Sequence, residues 1–240
     1  MKRIIILLLL SFVSVTSFAQ QERKIKANGV VQDKNRRVQK YTKLVVEGEV
    51  TVEILDNPFK NTIRTSGDAN LHQLIQITVA NEVLTLKRKP GFQILNQTAP
   101  LKVVLTTKDL TDITLTGDNG SITNMGAIEI SNLKLTNTGS GKMNLRVKVD
   151  ELSLNTENNA AITVEGNANT VKINSKSSGD IDARELSNFF TEVASSGSGN
   201  IYTNTVNGID GSLDGSGNLY YRFTKTVNVA ENAEGKILKL

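Results

Sequence analysis

Apolar residues in this chain alternate with polar ones; they do not recur at helical spacing. From about position 113 to 219 they fall at every second residue over short runs, as in Leu133-Lys-Leu135, Leu152-Ser-Leu154, Ile162-Thr-Val164 and Val171-Lys-Ile173. A period of two places alternate side chains on opposite faces of an extended strand. Short polar clusters break the runs: DNGSI (118–122), GSGKM (139–143), NNAAI (158–162), SSGDI (177–181), GSGNI (197–201) and GSGNL (215–219). The apolar residues that close them, Ile122, Met143, Ile162, Ile181, Ile201 and Leu219, are 21, 19, 19, 20 and 18 positions apart. A period near 20 marks a solenoid and takes precedence over local assignments. Leu135, Leu154, Ile173 and Val193 align on the same period. Each coil therefore adds one strand to each of two or three parallel sheets. About six coils at ~4.8 Å per rung make a column roughly 25–30 Å long.

In this setting the Ser/Gly clusters read as corners of the coil, although alone they resemble linkers. Glycine turns a corner at positive φ without a Cβ penalty, and Asn119, Asn158 and Asn159 stand where asparagine tolerates the same conformation. Small side chains also let successive corners stack. A phosphate-binding loop does not fit, because no Lys-Ser/Thr follows the glycines and a strand, not a helix, continues the chain.

Residues 38–107 differ. Stretches 44–46, 50–54, 62–65, 77–79, 83–86 and 101–105 are strand candidates at hairpin-like spacing. Residues 68–75, DANLHQLI, predict one short helix capped by Asp68, with Leu71, Leu74 and Ile75 on its apolar face. The expected arrangement is an antiparallel cap over the open end of the first coil, followed by β-helix coils over 108–240 within one all-β domain, 38–240. Positions 226–240 supply the last coil and its cover.

The N-terminus changes the picture of location. Lys2 and Arg3 precede an unbroken apolar run at 4–10, and Ser17-Phe18-Ala19 offers small residues for cleavage. Residues 1–19 read as a secretory signal peptide, with an uncleaved anchor as the alternative. Residues 20–37 read as a polar tail. There is no cysteine, hence no disulfide and no lipid-anchored cysteine. No other stretch is long and apolar enough to span a membrane once the leader is cut. The whole chain carries 28 basic and 24 acidic residues; without Lys2 and Arg3 the balance is 26 to 24. That near-neutrality argues against nucleic acid, and the run Lys34, Arg36, Arg37, Lys40 fits a solvated tail. Twenty-five asparagines, 18 glycines and only three prolines suit many short strands and tight turns.

Candidate chemistry is sparse. The single histidine, His72, sits between apolar neighbours and suits packing. It has neither the Cys/His partners of a zinc site nor a G-x-S-x-G elbow, so no catalytic residue, metal or cofactor is assigned. Asp180 and Asp182 lie two apart, on one side of a strand, with Asp210 and Asp214 one to two rungs away. They could line a cation or sugar site, or simply form a solvated face. The outward positions Thr114, Lys134, Ser153, Lys172 and Glu192 form a mixed polar column, not the carboxylate cluster of a polysaccharide lyase or glycosidase. Tyr202 and Tyr220 follow equivalent corners and predict a stacked pair, serving either cross-strand stabilisation or contact with a glycan or protein.

The stretch LVVEGEVTVEI (44–54), the NLHQLI segment, LTLK (84–87) and the SGSGNI and DGSGNL corners together resemble the bacterial putative auto-transporter adhesin family, head GIN domain. The resemblance spans about 36–225. It departs at 158–161, where Asn-Asn-Ala-Ala replaces Ser-Gly-Ser-Gly, and at Asn81-Glu82, where the family usually has Asn-Gly. It implies a right-handed parallel β-helix exported to the periplasm, the outer-membrane surface or the exterior, with no shared catalytic residues. The expected function is adhesin-like binding or scaffolding towards glycan or cell-surface protein. The alternatives are a small β-helix carbohydrate-active enzyme and a structural envelope protein without a ligand. Exposed end coils can pair, which leaves oligomers open.

Overall fold

A computed structural model of the chain describes residues 22–55, 61–106 and 109–240; the expected signal peptide lies outside them. In chain order the strands are β1 (Arg23–Lys26), β2 (Val31–Arg37), β3 (Lys43–Glu47), β4 (Thr51–Leu55), β5 (Thr62–Asp68), β6 (Ile75–Ala80), β7 (Val83–Arg88), β8 (Phe92–Leu95), β9 (Lys102–Thr106), β10 (Asp112–Thr116), β11 (Ser121–Met125), β12 (Ile128–Asn137), β13 (Lys142–Asn158), β14 (Ala161–Ser177), β15 (Ile181–Ser195), β16 (Ile201–Leu213), β17 (Leu219–Tyr221), β18 (Thr226–Glu231) and β19 (Ile237–Lys239). They build a β-solenoid of about seven turns.

The register confirms the ladders read from the sequence. Ile122 pairs with Met143, and the same rung position continues through Ile162, Ile181, Ile201 and Leu219 to Ile237. A second ladder runs Ile113, Leu135, Leu154, Ile173, Val193. All of these except the terminal Ile237 are buried in one core that extends from Tyr41 to Leu219. Stacking like residues on like residues lets each rung bury its apolar face against the next, which no single coil can do alone.

The interior is not wholly apolar. Asn137, Thr156, Ser175 and Ser195 form an inward ladder between Leu115 and Leu213, with Thr156 Oγ1 donating to Ser175 Oγ at 3.0 Å. Asn137 Nδ2 donates to the carbonyls of Gly141 and Ala161 and so ties the wall to the next corner.

Three expectations change. The first concerns the cap, which is mixed, not antiparallel. β3 pairs in parallel with both β7 and β10, and β4 in parallel with both β9 and β11, so the solenoid already includes 43–55, 83–88 and 102–106. The chain fills these rungs out of order: β7 and β9 lie outside β3 and β4 although they follow them in sequence. Among the described residues, antiparallel pairing is confined to β2–β5, β5–β9 and β6–β7.

The second change is that residues 22–37, the described part of the expected polar tail, are tied to the fold. β2 pairs with β5 along its whole length, and β1 pairs with β8. Ile25 and Ala27 join a small second core with Leu71 and Leu74. The side chains of β2 are mostly exposed, so its order comes from backbone pairing, to which hydropathy is blind.

The third change is the predicted helix, which is only a 3-10 turn, His72–Leu74, and Asp68 does not cap it. The Asp68 carboxylate is buried and accepts the backbone N–H groups of Gly29 (2.9 Å), Thr98 (2.9 Å) and Ala99 (3.3 Å). Burial alone would push its pKa up; these hydrogen bonds outweigh it and hold the group below the usual carboxylate value. A depressed folded pKa contributes stability that is complete above the unfolded value near ~4 and is lost as pH falls through the folded pKa. Asp68→Asn is therefore expected to lower the neutral-pH melting temperature by several degrees and to flatten the acid limb of a stability–pH curve below about pH 4. Thermal melts from pH 2 to 7 check both effects; an unchanged acid limb would contradict the assignment. His72 is buried with its Nδ1 2.7 Å from Thr65 Oγ1, as packing requires.

Candidate functional site on the outer wall

The corners carry a chain of side-chain-to-backbone bonds. Asp180 Oδ1 accepts the N–H of Asn200 (2.8 Å), Asn200 Oδ1 that of Asn218 (3.1 Å), and Asn218 Oδ1 that of Lys236 (2.8 Å). Asp180 is thus the first step of a corner ladder that fixes the next coil.

Asp182 lies on the wall, directly in register with Tyr202, which in turn pairs with Tyr220 and then Leu238. Arg184 reaches this column because β15 bulges. Thr163 and Glu165 of β14 align with Asp182 and Glu185, so β15 carries one extra residue there, and three residues of β15 (184–186) have no counterpart in β16. A bulge re-aims side chains. Arg184 Nε donates to Asp182 Oδ1 at 2.9 Å, and its Nη2 bonds Oδ2 of the same carboxylate. The guanidinium also lies 4.7 Å from the centroid of the Tyr202 ring, and Tyr202 and Tyr220 stack at 4.8 Å with an 11° interplanar angle. The Arg184 hydrogen bonds, first among the causes, hold the Asp182 carboxyl below its ordinary value, against a rise from burial. The Arg184 guanidinium is shifted up by the same partnership.

The two tyrosines are therefore stacked, as the repeat predicts, but half-buried. Tyr202 is held between Arg184 from the preceding rung and Tyr220 from the following one. The ring faces serve the stack, and what they offer outward is ring edges, hydroxyls and the guanidinium rim.

The four aspartates do not converge. Asp180 binds a corner amide and Asp182 binds Arg184. Asp214 accepts from Ser212 (2.8 Å) and Asn232 (2.7 Å), while Asp210 stands in another column, opposite Glu192 and Asn228. Among the described residues no group of three or more His, Cys, Asp or Glu could hold a metal ion. The second wall column reads Lys43, Asp112, Lys134, Ser153, Lys172, Glu192, Asp210, so Asp112 takes the place expected for Thr114. Its charges partner across rungs, as with Lys43 Nζ 3.8 Å from Asp112 Oδ2, or diagonally, as with Lys172 Nζ 3.1 Å from Glu151 Oε2. Among the described residues no helix is long and apolar enough to cross a membrane.

Sequence reasoning missed a third face. Here residues within β12, β13, β14 and β15 line a groove of about 640 Å³ that includes Ser131, Asp150, Asn169 and Phe189. The only sequence signal was Phe189-Phe190, an aromatic pair in a chain that has few.

These features define a β-solenoid with a polar outer wall. The chain belongs to the family described as "Putative auto-transporter adhesin, head GIN domain", which matches residues 40–222. Among solved structures, a putative adhesin from Bacteroides fragilis NCTC 9343 superposes with a TM-score of 0.82 at 20% identity, covering 90% of this chain and 100% of that one. A putative lipid binding protein from Parabacteroides distasonis ATCC 8503 gives 0.72 at 18% identity, covering 91% and 100%. A putative adhesin from Parabacteroides merdae ATCC 43184 gives 0.65 at 20%, covering 90% and 99%. At these identities the likeness establishes the fold. No curated protein matches the chain.

Proposed function

We propose that this protein is an exported, non-enzymatic, adhesin-like recognition domain that contacts glycan or protein through the wall of its solenoid. The Asp182–Arg184–Tyr202–Tyr220 cluster is the observation that carries the reading. It joins one bidentate ion pair, one cation–aromatic contact and one aromatic stack on a single column. Such a cluster is rigid before any partner arrives, and its side-chain types are those that dominate binding energy at interfaces. Family membership supports the adhesin-like part. Asp180, Asp182 and Asp214 are each engaged by local partners and do not converge with Asp210, which stands beside Glu192 in another column; this favours binding over catalysis at the four aspartates.

The test is retention of the purified protein on bacterial and epithelial surfaces and on immobilised glycans, with the Tyr202→Ala/Tyr220→Ala double variant alongside. Loss of two hot-spot tyrosines is expected to weaken retention by roughly tenfold or more. A correctly folded double variant with unchanged retention would remove the cluster from the contact face.

A further inference from the structure

We propose that the groove on the third face is a binding site for an uncharged polysaccharide strand lying along the solenoid axis, with Phe189 as its stacking platform. The inference rests on the recognition reading above but uses a different surface from the tyrosine column.

The groove crosses five consecutive rungs, from β12 to β16. One of its columns follows the strand pairing directly: Glu129, Lys148, Asn167, Ser187. The neighbouring column holds Ser131, Asp150, Asn169 and then Phe189, all exposed. A parallel solenoid repeats such a row about every 4.8 Å. That spacing is of the order of one sugar unit in an extended chain, so successive rungs can meet successive units of a polymer.

The charged groups in the groove, Glu129, Lys148 and Asp150, sum to one negative charge, and each already has a partner. Lys148 Nζ lies 3.3 Å from Glu129 Oε2, and Asn169 Nδ2 donates to Asp150 Oδ1 at 3.1 Å. By contrast, the side chains of Ser131, Asn167 and Ser187 have no hydrogen-bond partner among the described residues. What is left for a ligand is hydroxyl and amide chemistry, which suits sugar hydroxyls and offers nothing special to an anionic polymer.

Phe189 is 57% exposed and Val206, in the next rung, is 44% exposed. A side chain of this size left in water forgoes the gain that burial in the core would bring. Its outward aim is built in. Asn188 aligns with Thr205 and Phe190 with Gly208, so Phe189 stands against two residues, Val206 and Asn207: a bulge, uncommon between parallel strands. Below the bulge the inner side chains lock it. Asn188 Nδ2 donates to Thr191 Oγ1 at 2.6 Å, and Thr191 Oγ1 lies 2.6 Å from Thr205 Oγ1. This buried network ties the residue before Phe189 to the residue before Val206. An aromatic face held open beside free amides and hydroxyls is what a sugar ring requires, since its C–H face stacks while its hydroxyls find polar partners. A protein partner would instead need a broad apolar patch with a dry centre, whereas the exposed large apolar side chains here are Phe189 and Val206, set among hydroxyls, amides and charges.

The experiment is affinity electrophoresis of the purified protein through gels containing dextran, laminarin, mannan or xyloglucan, and in parallel through polygalacturonate and chondroitin sulfate. Wild type, Phe189→Ala, Phe189→Trp, Asn169→Ala and Tyr202→Ala/Tyr220→Ala are run together. The inference predicts retardation in at least one neutral gel, a loss of tenfold or more in affinity for Phe189→Ala and rescue by Phe189→Trp. Four results would overturn it: no retardation in any neutral gel, retardation only in the acidic gels, Phe189→Ala binding like wild type, or loss confined to the tyrosine double variant. The last of these, or binding to cell-surface protein without binding to any glycan, would leave the recognition reading standing while removing this groove from it.

Discussion

Gly199→Ala is expected to lower the melting temperature by roughly 5–10 °C, a large effect for one methyl group in a Ser/Gly-rich stretch. A Cβ on Gly199 would sit 2.1 Å from the carbonyl oxygen of Gly179, one rung below, and Gly217 meets Gly199 in the same way. The obstacle is backbone, which a rotamer change cannot relieve. Forcing extra volume into packed structure typically costs about 1–3 kcal/mol, and each kcal/mol shifts a domain of this size by about 2–4 °C. Gly199 itself has no positive φ, so close stacking, not conformational freedom, demands glycine here. Positive φ is used at Asn119 (59°) and Asn158 (61°), whereas Asn159 is not among the residues at positive φ. The neighbouring Ser198 is exposed, and Ser198→Ala should change stability by less than about 0.5 kcal/mol. Calorimetry of the two variants compares them directly. Equal, negligible shifts would mean that the stretch behaves as a linker.

Ile181→Ala is expected to cost about 2–5 kcal/mol, the range for emptying a buried aliphatic site. Ile181 is fully buried between Ile162 and Ile201 in the longest ladder. Hydrogen-bonded backbone on both sides fixes its neighbours, so the cavity cannot close by collapse. Ile237, at the end of the same ladder, has a rung on one side only and is half-buried; Ile237→Ala should cost markedly less. Urea unfolding with an unchanged slope for both variants would show that the difference lies in the folded state. Similar losses at 181 and 237 would contradict the stacked-ladder account.

The ladders were legible because one period governs them. Alternation places Leu135, Leu154, Ile173 and Val193 inward, and the corner spacing aligns them. The Tyr202–Tyr220 stack followed from the same period. The first rungs were not legible, because β7 and β9 dock outside β3 and β4, and no local pattern records an insertion out of chain order. β2 escaped notice because it is ordered by hydrogen bonds to β5 while its side chains stay wet. Asp68 looks like a helix cap in sequence, and only the fold brings Gly29, Thr98 and Ala99 to it. Arg184 was invisible as a site residue because a bulge aims it, and a bulge is a departure from the very period that made the rest readable; Phe189 keeps the period of Ser131, Asp150 and Asn169, but the groove they share forms only when the rungs stack. The inward Asn137, Thr156, Ser175 and Ser195 follow the alternation, but polar residues in a core run against the expectation that only apolar side chains face inward.

The central claim is recognition without turnover. The most direct measurement incubates the purified protein with a panel of polysaccharides and follows, in the same wells, protein retained on the polymer and new reducing ends or unsaturated products. The account predicts retention on at least one polymer with no new ends above a protein-free control. Accumulation of new ends in proportion to protein and time would contradict it and would make the Asp180 and Asp182 region the first place to look for a catalytic group.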